Sequence, residues 1–130
     1  MDIPADLRYT HEDEWLRLEA DGTATIGITD YAQSQLGDIV FVELPEVGRR
    51  VECGQPFGVI ESVKAVSDLN MPVGGEVIAR NDVLEQSSEL VNQSPYTDGW
   101  IIKIRPSAAS EIDALLTADA YRAQLPADTE

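Results

Sequence analysis

The chain is poor in the residues that most often carry chemistry. It has one histidine, His11, in a polar N-terminal segment, and one cysteine, Cys53, far from it. A catalytic triad or a histidine-rich metal site does not find its parts in that inventory. An intrachain disulfide is impossible with a lone cysteine, so an oxidising compartment gains no support. Cys53 reads as a small strand residue. Aromatic residues make up only 6% of the chain, and no run approaches the ~20 apolar residues that a membrane span requires. Basic residues are scarce as well: nine stand against 24 acidic ones, for a formal net charge of −15 and a pI near 4.2. Such a surface repels phosphate backbones and anionic membranes, which removes the electrostatic basis of nucleic-acid binding; it either steers partners with basic docking faces or serves only to keep the chain dispersed. Among so many carboxylates chance pairs are cheap, and a paired-carboxylate hydrolase gains nothing from their number. Gly54, Gly58, Gly74 and Gly75 match no phosphate-loop or dinucleotide pattern and suit strand corners.

Lysine is the scarcest cation. Seven of the nine basic residues are arginine, leaving Lys64 and Lys103. Lys103 lies between Ile102 and Ile104, in the polar register of a strand. Lys64 falls at a polar bend between two β-prone runs, the first ending in Val59 and Ile60, the second carrying Val66 and Leu69 before Pro72 and Gly74-Gly75 stop it. A lysine that acts as nucleophile or Schiff-base former needs burial or a neighbouring cation. Lys64 has Glu61 three residues before it, Asp68 four after it, and no other cation between Arg50 and Arg80. It reads as a substrate for a modifying enzyme, or as a solubilising turn lysine, and not as a catalyst.

At 130 residues the chain fits one domain, residues 1–130. Residues 1–13 form an arm anchored by Leu7 and Tyr9, residues 14–105 a β core with a hairpin at 57–72, and residues 106–130 a helical tail. Within the core, residues 14–19 alternate with Leu16 and Leu18 on one face, and Asp21-Gly22 turns that strand into another at 23–28. Thr29 or Asp30 caps a short helix over 31–36, closed by Gly37. Further strands are expected at 39–44, 51–53, 75–80 and 100–105. Asn81 caps one turn over 82–84, and residues 85–93 are loop-like or weakly helical. In the tail Ser110 caps a helix carrying Ile112, Leu115 and Leu116, and Thr117 starts a second piece; both pack on the sheet's edge. Short strands at this spacing suggest a sandwich or flattened barrel.

Several stretches share a resemblance. Glu61-Ser-Val-Lys-Ala65, followed by Ser67-Asp68 and Pro72-Val-Gly-Gly-Glu-Val77, resembles the lipoyl-lysine hairpin of the glycine cleavage H-protein family. Gly27-Ile-Thr-Asp-Tyr-Ala-Gln33, Leu36-Gly-Asp-Ile-Val-Phe-Val-Glu-Leu-Pro45, Leu90-Val-Asn92, Pro95-Tyr96 and Gly99-Trp100 resemble that family too, in its order, so the likeness runs from about Leu7 to Tyr121. It implies a mainly β, lipoyl/biotinyl-type barrel-sandwich hybrid of short, mostly antiparallel strands, with short helices and a helical C-terminus. It also implies a carrier and not an enzyme, with no catalytic residues and no metal.

By the same resemblance lipoate is amide-linked to Lys64 within the modification motif Glu61, Ser62, Val63 and Ala65. The arm shuttles the aminomethyl group of glycine from the glycine decarboxylase (P protein) to the aminomethyltransferase (T protein), and dihydrolipoamide dehydrogenase (L protein) reoxidises it. A lipoate ligase or a lipoyl/octanoyl transferase attaches it. In the family the loaded arm folds back into a surface groove, for which Glu14 and Asp68 are the candidates; taken singly, both are ordinary surface acids. The family's usual His-Glu-Trp is here Asp13-Glu14-Trp15, with His11 displaced. Met71 stands where the family has a small residue and is expected to narrow or grease the groove. Met1-Asp2-Ile3-Pro4 has neither a secretory nor a transit pattern, so a monomer in a prokaryotic cytoplasm is expected, or one in the mitochondrial matrix if a transit peptide has been removed. Val63 and Ala65 argue against a biotin carrier, whose lysine is flanked by methionines. A lipoyl domain of a 2-oxoacid dehydrogenase lacks the terminal extensions matched here. A third alternative is an H-like protein that donates lipoate to other proteins.

Overall fold

Asp21 closes the first hairpin with its own side chain, its carboxylate accepting the Thr23 N–H at 3.0 Å and the Thr23 hydroxyl at 2.6 Å. In the computed structural model, which describes residues 1–126, this turn joins β2 (Glu14–Leu18) to β3 (Ala24–Ile28). The end of the expected helical tail, residues 127–130, lies outside the described residues. All five residues of β3 are buried, because it pairs antiparallel with β2 on one side and β9 (Ile102–Pro106) on the other. β1 (Arg8–Tyr9) adds to β2, while β8 (Gly75–Arg80) and β5 (Arg50–Val51) continue past β9, giving a six-stranded sheet ordered β1-β2-β3-β9-β8-β5. A second sheet has β6 (Pro56–Ser62) between β4 (Ile39–Glu43) and β7 (Val66–Asn70), again antiparallel. The fold is mainly β, as the spacing of the strands predicts.

Among the described residues four short helices decorate the sheets: α1 (Asp30–Leu36), α2 (Leu90–Gln93), α3 (Ala109–Asp113) and α4 (Ala118–Gln124), with a 3₁₀ turn at Asp82–Glu85. Thr29 caps α1 by accepting the Ala32 N–H at 3.1 Å, and Gly37 ends it at φ 81°, a conformation that costs any side chain strain. No helix among the described residues is long and apolar enough to cross a membrane.

Two apolar clusters hold these elements. The main core lies between the sheets and includes Leu16, Ile26, Val42, Phe57, Ile60, Leu69, Val77 and Ile102. A satellite cluster covers the far side of β1 and β2: Tyr9 stacks on Tyr121 of α4 with ring centroids 4.7 Å apart, and Trp15 donates its indole N–H to the Pro95 carbonyl at 3.0 Å. The Trp15 ring lies so close to β3 that a Cβ on Gly27 would stand 2.6 Å from it. Gly27→Ala should therefore lose about 1–3 kcal/mol of unfolding free energy through overpacking, measured as a lowered denaturation midpoint; an unchanged midpoint would show that the indole can step aside.

Several expectations are corrected. Leu18 is 56% exposed, because β2 ends at the hairpin tip where neither cluster reaches it. Asn81 caps nothing: its side-chain amide donates to the carbonyls of Asp98 at 2.9 Å and Trp100 at 2.8 Å, so β9 begins at Ile102 and not at Trp100. Ser110 lies inside α3, whose cap position is Ala108. The strand expected at 51–53 is Arg50–Val51, since Gln55 N–H turns back to the Glu52 carbonyl at 3.1 Å. The N-terminal segment is tied down by Ile3 as well as by Leu7 and Tyr9.

Candidate functional site

Lys64 stands in the turn between β6 and β7, and one serine builds that turn. The Ser62 hydroxyl accepts the N–H groups of Lys64 at 3.3 Å and Ala65 at 3.1 Å, while the Ser62 N–H bonds the Ala65 carbonyl at 2.8 Å. Ser62 is buried, so the fastener is shielded from water, while Val63, Lys64 and Ala65 are exposed. The turn is also moored sideways, since Val63 N–H reaches the Asp38 carbonyl at 3.1 Å. That carbonyl belongs to the α1–β4 connection, which Asn92 of α2 holds by accepting Ile39 N–H at 2.9 Å and donating to the Gly37 carbonyl at 2.9 Å. Glu61 is half-buried, in register with Phe41 on one side and Val66 on the other. Among the described residues no carboxylate pairs with the Lys64 ammonium. Its Cε instead passes over Gly37, 3.5 Å from where a Cβ would stand, so the far end of the side chain, next to Nζ, lies against the end of α1.

Beside that end of α1 opens a cleft of about 170 Å³. Ile28, Ala32, Leu36, Ile60 and Leu69 supply apolar wall, and Glu12, Asp13, Glu14, Ser67 and Asp68 supply polar groups. Glu14 and Asp68, 54 residues apart in sequence by 68 − 14, thus line one cavity. They differ in kind. Asp68 is exposed, whereas Glu14 is 3% exposed and receives hydrogen bonds from the Thr10 hydroxyl at 2.8 Å and the Asn70 N–H at 3.3 Å. Burial, reinforced by the charges of Glu12 and Asp13, pushes the Glu14 carboxyl up to about 7, against the opposing pull of the two hydrogen bonds. Near neutrality it is poised between acid and carboxylate, and a cation brought into the cleft would draw it to the carboxylate. Burial also raises Asp13, which sits at φ 71° and accepts the Tyr121 hydroxyl at 2.8 Å.

The sequence reading of Glu14 as a surface acid is thus overturned. β2 is covered on both faces, Leu16 entering the main core and Trp15 the satellite cluster, which buries its first residue too. Thr10 and Asn70, the two donors to Glu14, are missed in the sequence; the loop that folds Thr10 back onto Glu14 carries no periodic signal. Met71 does not line this cleft. It is buried, just past the end of β7, and lines a separate cavity of about 210 Å³ with Cys53, Tyr9 and Leu116. His11 bonds Gln124 through Nδ1 at 2.6 Å, at the surface.

A family model described as "Glycine cleavage H-protein" matches residues 7–128. The chain belongs to the glycine cleavage H-protein family. It is 58% identical over 123 residues to the glycine cleavage system H protein of an Enterobacter species, covering 95% of both chains. It is 56% identical over 128 residues to that of Chromohalobacter salexigens, covering 98% of both. A crystal structure of a glycine cleavage system H protein from Mycobacterium marinum superposes with a TM-score of 0.87 at 38% identity, covering 94% of this chain and 98% of that one. The H-protein family is one of lipoyl-bearing carriers, and the role of this chain is that of lipoyl carrier in glycine cleavage.

Proposed function

We propose that Lys64 is the residue that carries lipoate, in amide linkage, and that the cleft between α1 and Glu14 receives the loaded end of that arm. One observation supports this above the others: an exposed lysine, without an ion-pair partner among the described residues, is held at the tip of a braced turn, beside a cleft that contains a buried carboxylate. Lipoate, when attached, would supply the cyclic disulfide that takes up the aminomethyl group of glycine on one sulfur as the other becomes a thiol, leaving a dithiol for reoxidation once the group has passed on. The residues of the chain do the rest. Ser62 and Asp38 fix the direction in which the arm leaves; Ile28, Ala32, Leu36 and Leu69 exclude water from its stem; Glu14 and Asp68 hold the cationic cargo by charge-assisted contacts.

In this reading the chain is a monomeric, cytoplasmic shuttle and catalyses nothing itself. It visits the glycine decarboxylase, the aminomethyltransferase and dihydrolipoamide dehydrogenase, after a lipoate ligase or lipoyl/octanoyl transferase has modified it. The reading is tested by isotope exchange between bicarbonate and the glycine carboxyl in a mixture of glycine decarboxylase, pyridoxal phosphate and the chain. Lipoylated chain should support exchange and unmodified chain should give only background; equal exchange from both, or none from the lipoylated form, would reject it.

A further inference from the structure

Half of the eight large apolar side chains that stand exposed among the described residues crowd around Lys64: Val40 (55%), Phe41 (45%), Val63 (70%) and Val66 (67%). Their closeness follows from the strand register. Phe41, Glu61 and Val66 lie side by side across β4, β6 and β7, and Val40 sits in the irregularity between Ile39, which pairs with Ser62, and Phe41. The Val63 N–H to Asp38 carbonyl bond then pulls the turn against the start of β4. The result is an apolar collar on the outer face of the three-stranded sheet, at its Lys64 end. Glu61 stands within it, between Phe41 and Val66, its perimeter carries Asp38, Glu43 and Asp68, and residues 18–48 and 51–79 contain no cation except Lys64.

We propose that this collar is the docking surface for the enzyme that acylates Lys64, and that the enzyme meets it with an apolar recess ringed by basic groups. The proposal rests on the reading of Lys64 as the attachment site. Geometry selects this occupant over the other partners. An enzyme working on the dithiol acts at the far end of the lysine and acyl chains and can reach it without touching the hairpin. The enzyme that forms the amide must bring its reacting carbon within bonding distance of Nζ, so its surface necessarily covers the side chains next to Lys64. With an acyl adenylate as donor, the Nζ–carbon bond forms as the acyl carbon–oxygen bond to AMP breaks; AMP leaves and the extra protons of the nitrogen pass to solvent. The attacking nitrogen has to be the free amine, which a cationic partner face over Glu61 and Asp68 favours. Exposed apolar clusters rimmed by charge are typical of such contacts.

The test is a kinetic comparison using lipoate ligase, lipoate and ATP, with lipoylation followed by intact mass. The variants are Phe41→Thr/Val66→Thr in the collar and Val47→Thr as control, Val47 being exposed but in the loop beyond Glu43, at the end of β4 away from Ser62. Loss of the collar should raise the KM for the chain by about tenfold or more with kcat within about twofold, and Val47→Thr should match the parent. The collar double variant, driven to full lipoylation by prolonged incubation, should then support glycine–CO2 exchange with the parent's KM. An unchanged acylation KM, or an equal loss in exchange after full loading, would overturn the proposal, as would a collar-dependent dimer in solution. Should the double variant melt well below the parent, Val40→Thr alone decides by the same readouts. Failure of the parent itself to be acylated at Lys64 would instead overturn the attachment site.

Discussion

Lys64→Arg is expected to fold as the parent does and to support no glycine–CO2 exchange above background. The side chain is exposed, forms no ion pair among the described residues, and touches the fold chiefly where its Cε crosses Gly37. Its turn is held by Ser62 and by the backbone of Asp38, neither of which needs the ammonium. Arginine keeps the positive charge and most of the reach, so the melting temperature should move by no more than about 1–2 °C, as for a surface substitution. What it removes is the primary amine that can be acylated. Lys103→Arg should leave exchange intact, because Lys103 is half-buried in β9, opposite Thr25 and Ala79, with its ammonium 5.8 Å from the Trp100 ring. Retained exchange in Lys64→Arg, or its loss in Lys103→Arg, would move the attachment site.

Glu14→Gln is expected to change how stability depends on pH. The folded-state value of the Glu14 carboxyl, about 7, lies above its ordinary value of 4.5, so the folded chain holds the proton over a range where the unfolded chain has released it. The contribution of Glu14 to stability is therefore fullest below about pH 4.5 and is lost as pH rises toward 7. Glutamine has no such titration. The stability of Glu14→Gln relative to the parent should be near zero at low pH and grow in favour of the variant through that window, reaching on the order of 3 kcal/mol above it. Parallel pH profiles of the two unfolding midpoints would contradict the burial of this group. The same variant, once loaded, should release its aminomethyl cargo to water about tenfold faster, the cost of losing one charge-assisted contact. On the proposed role the acid destabilises the empty fold near neutrality and would stabilise the loaded one, and the two measurements on Glu14→Gln test these separately.

The sequence makes the hairpin readable because its signals are local. β-prone runs on either side of a polar bend place Lys64 at the turn, Asp21-Gly22 marks β2 and β3, and Thr29 with Gly37 frames α1. The mainly antiparallel β class follows from the same short spacing. The burial of Glu14 cannot be read this way. Periodicity assigns one buried face to a strand, and β2 is covered on two, the second by a satellite cluster drawn from the remote segments of Tyr96 and Tyr121. Asn81 shows the same limit: an N-cap signal in sequence is a free amide in structure, and the carbonyls of Asp98 and Trp100 claim it first. Met71 lines the cavity of Cys53, Tyr9 and Leu116 and not the groove, because residues remote in sequence surround it. The burial of Glu14 and the partners of Asn81 involve residues far apart in sequence, whereas the shift of the α3 cap to Ala108 and the short β5 are local boundary effects.

The central claim is that a single braced turn offers a single amine for modification. It is tested most directly by incubating the chain with lipoate, ATP and lipoate ligase, then measuring intact mass and mapping the modified peptide. One lipoyl group on the peptide that contains Lys64 is the predicted result; a lipoyl group on Lys103, or an unmodified chain in the presence of a ligase that modifies another lipoyl domain, would contradict it.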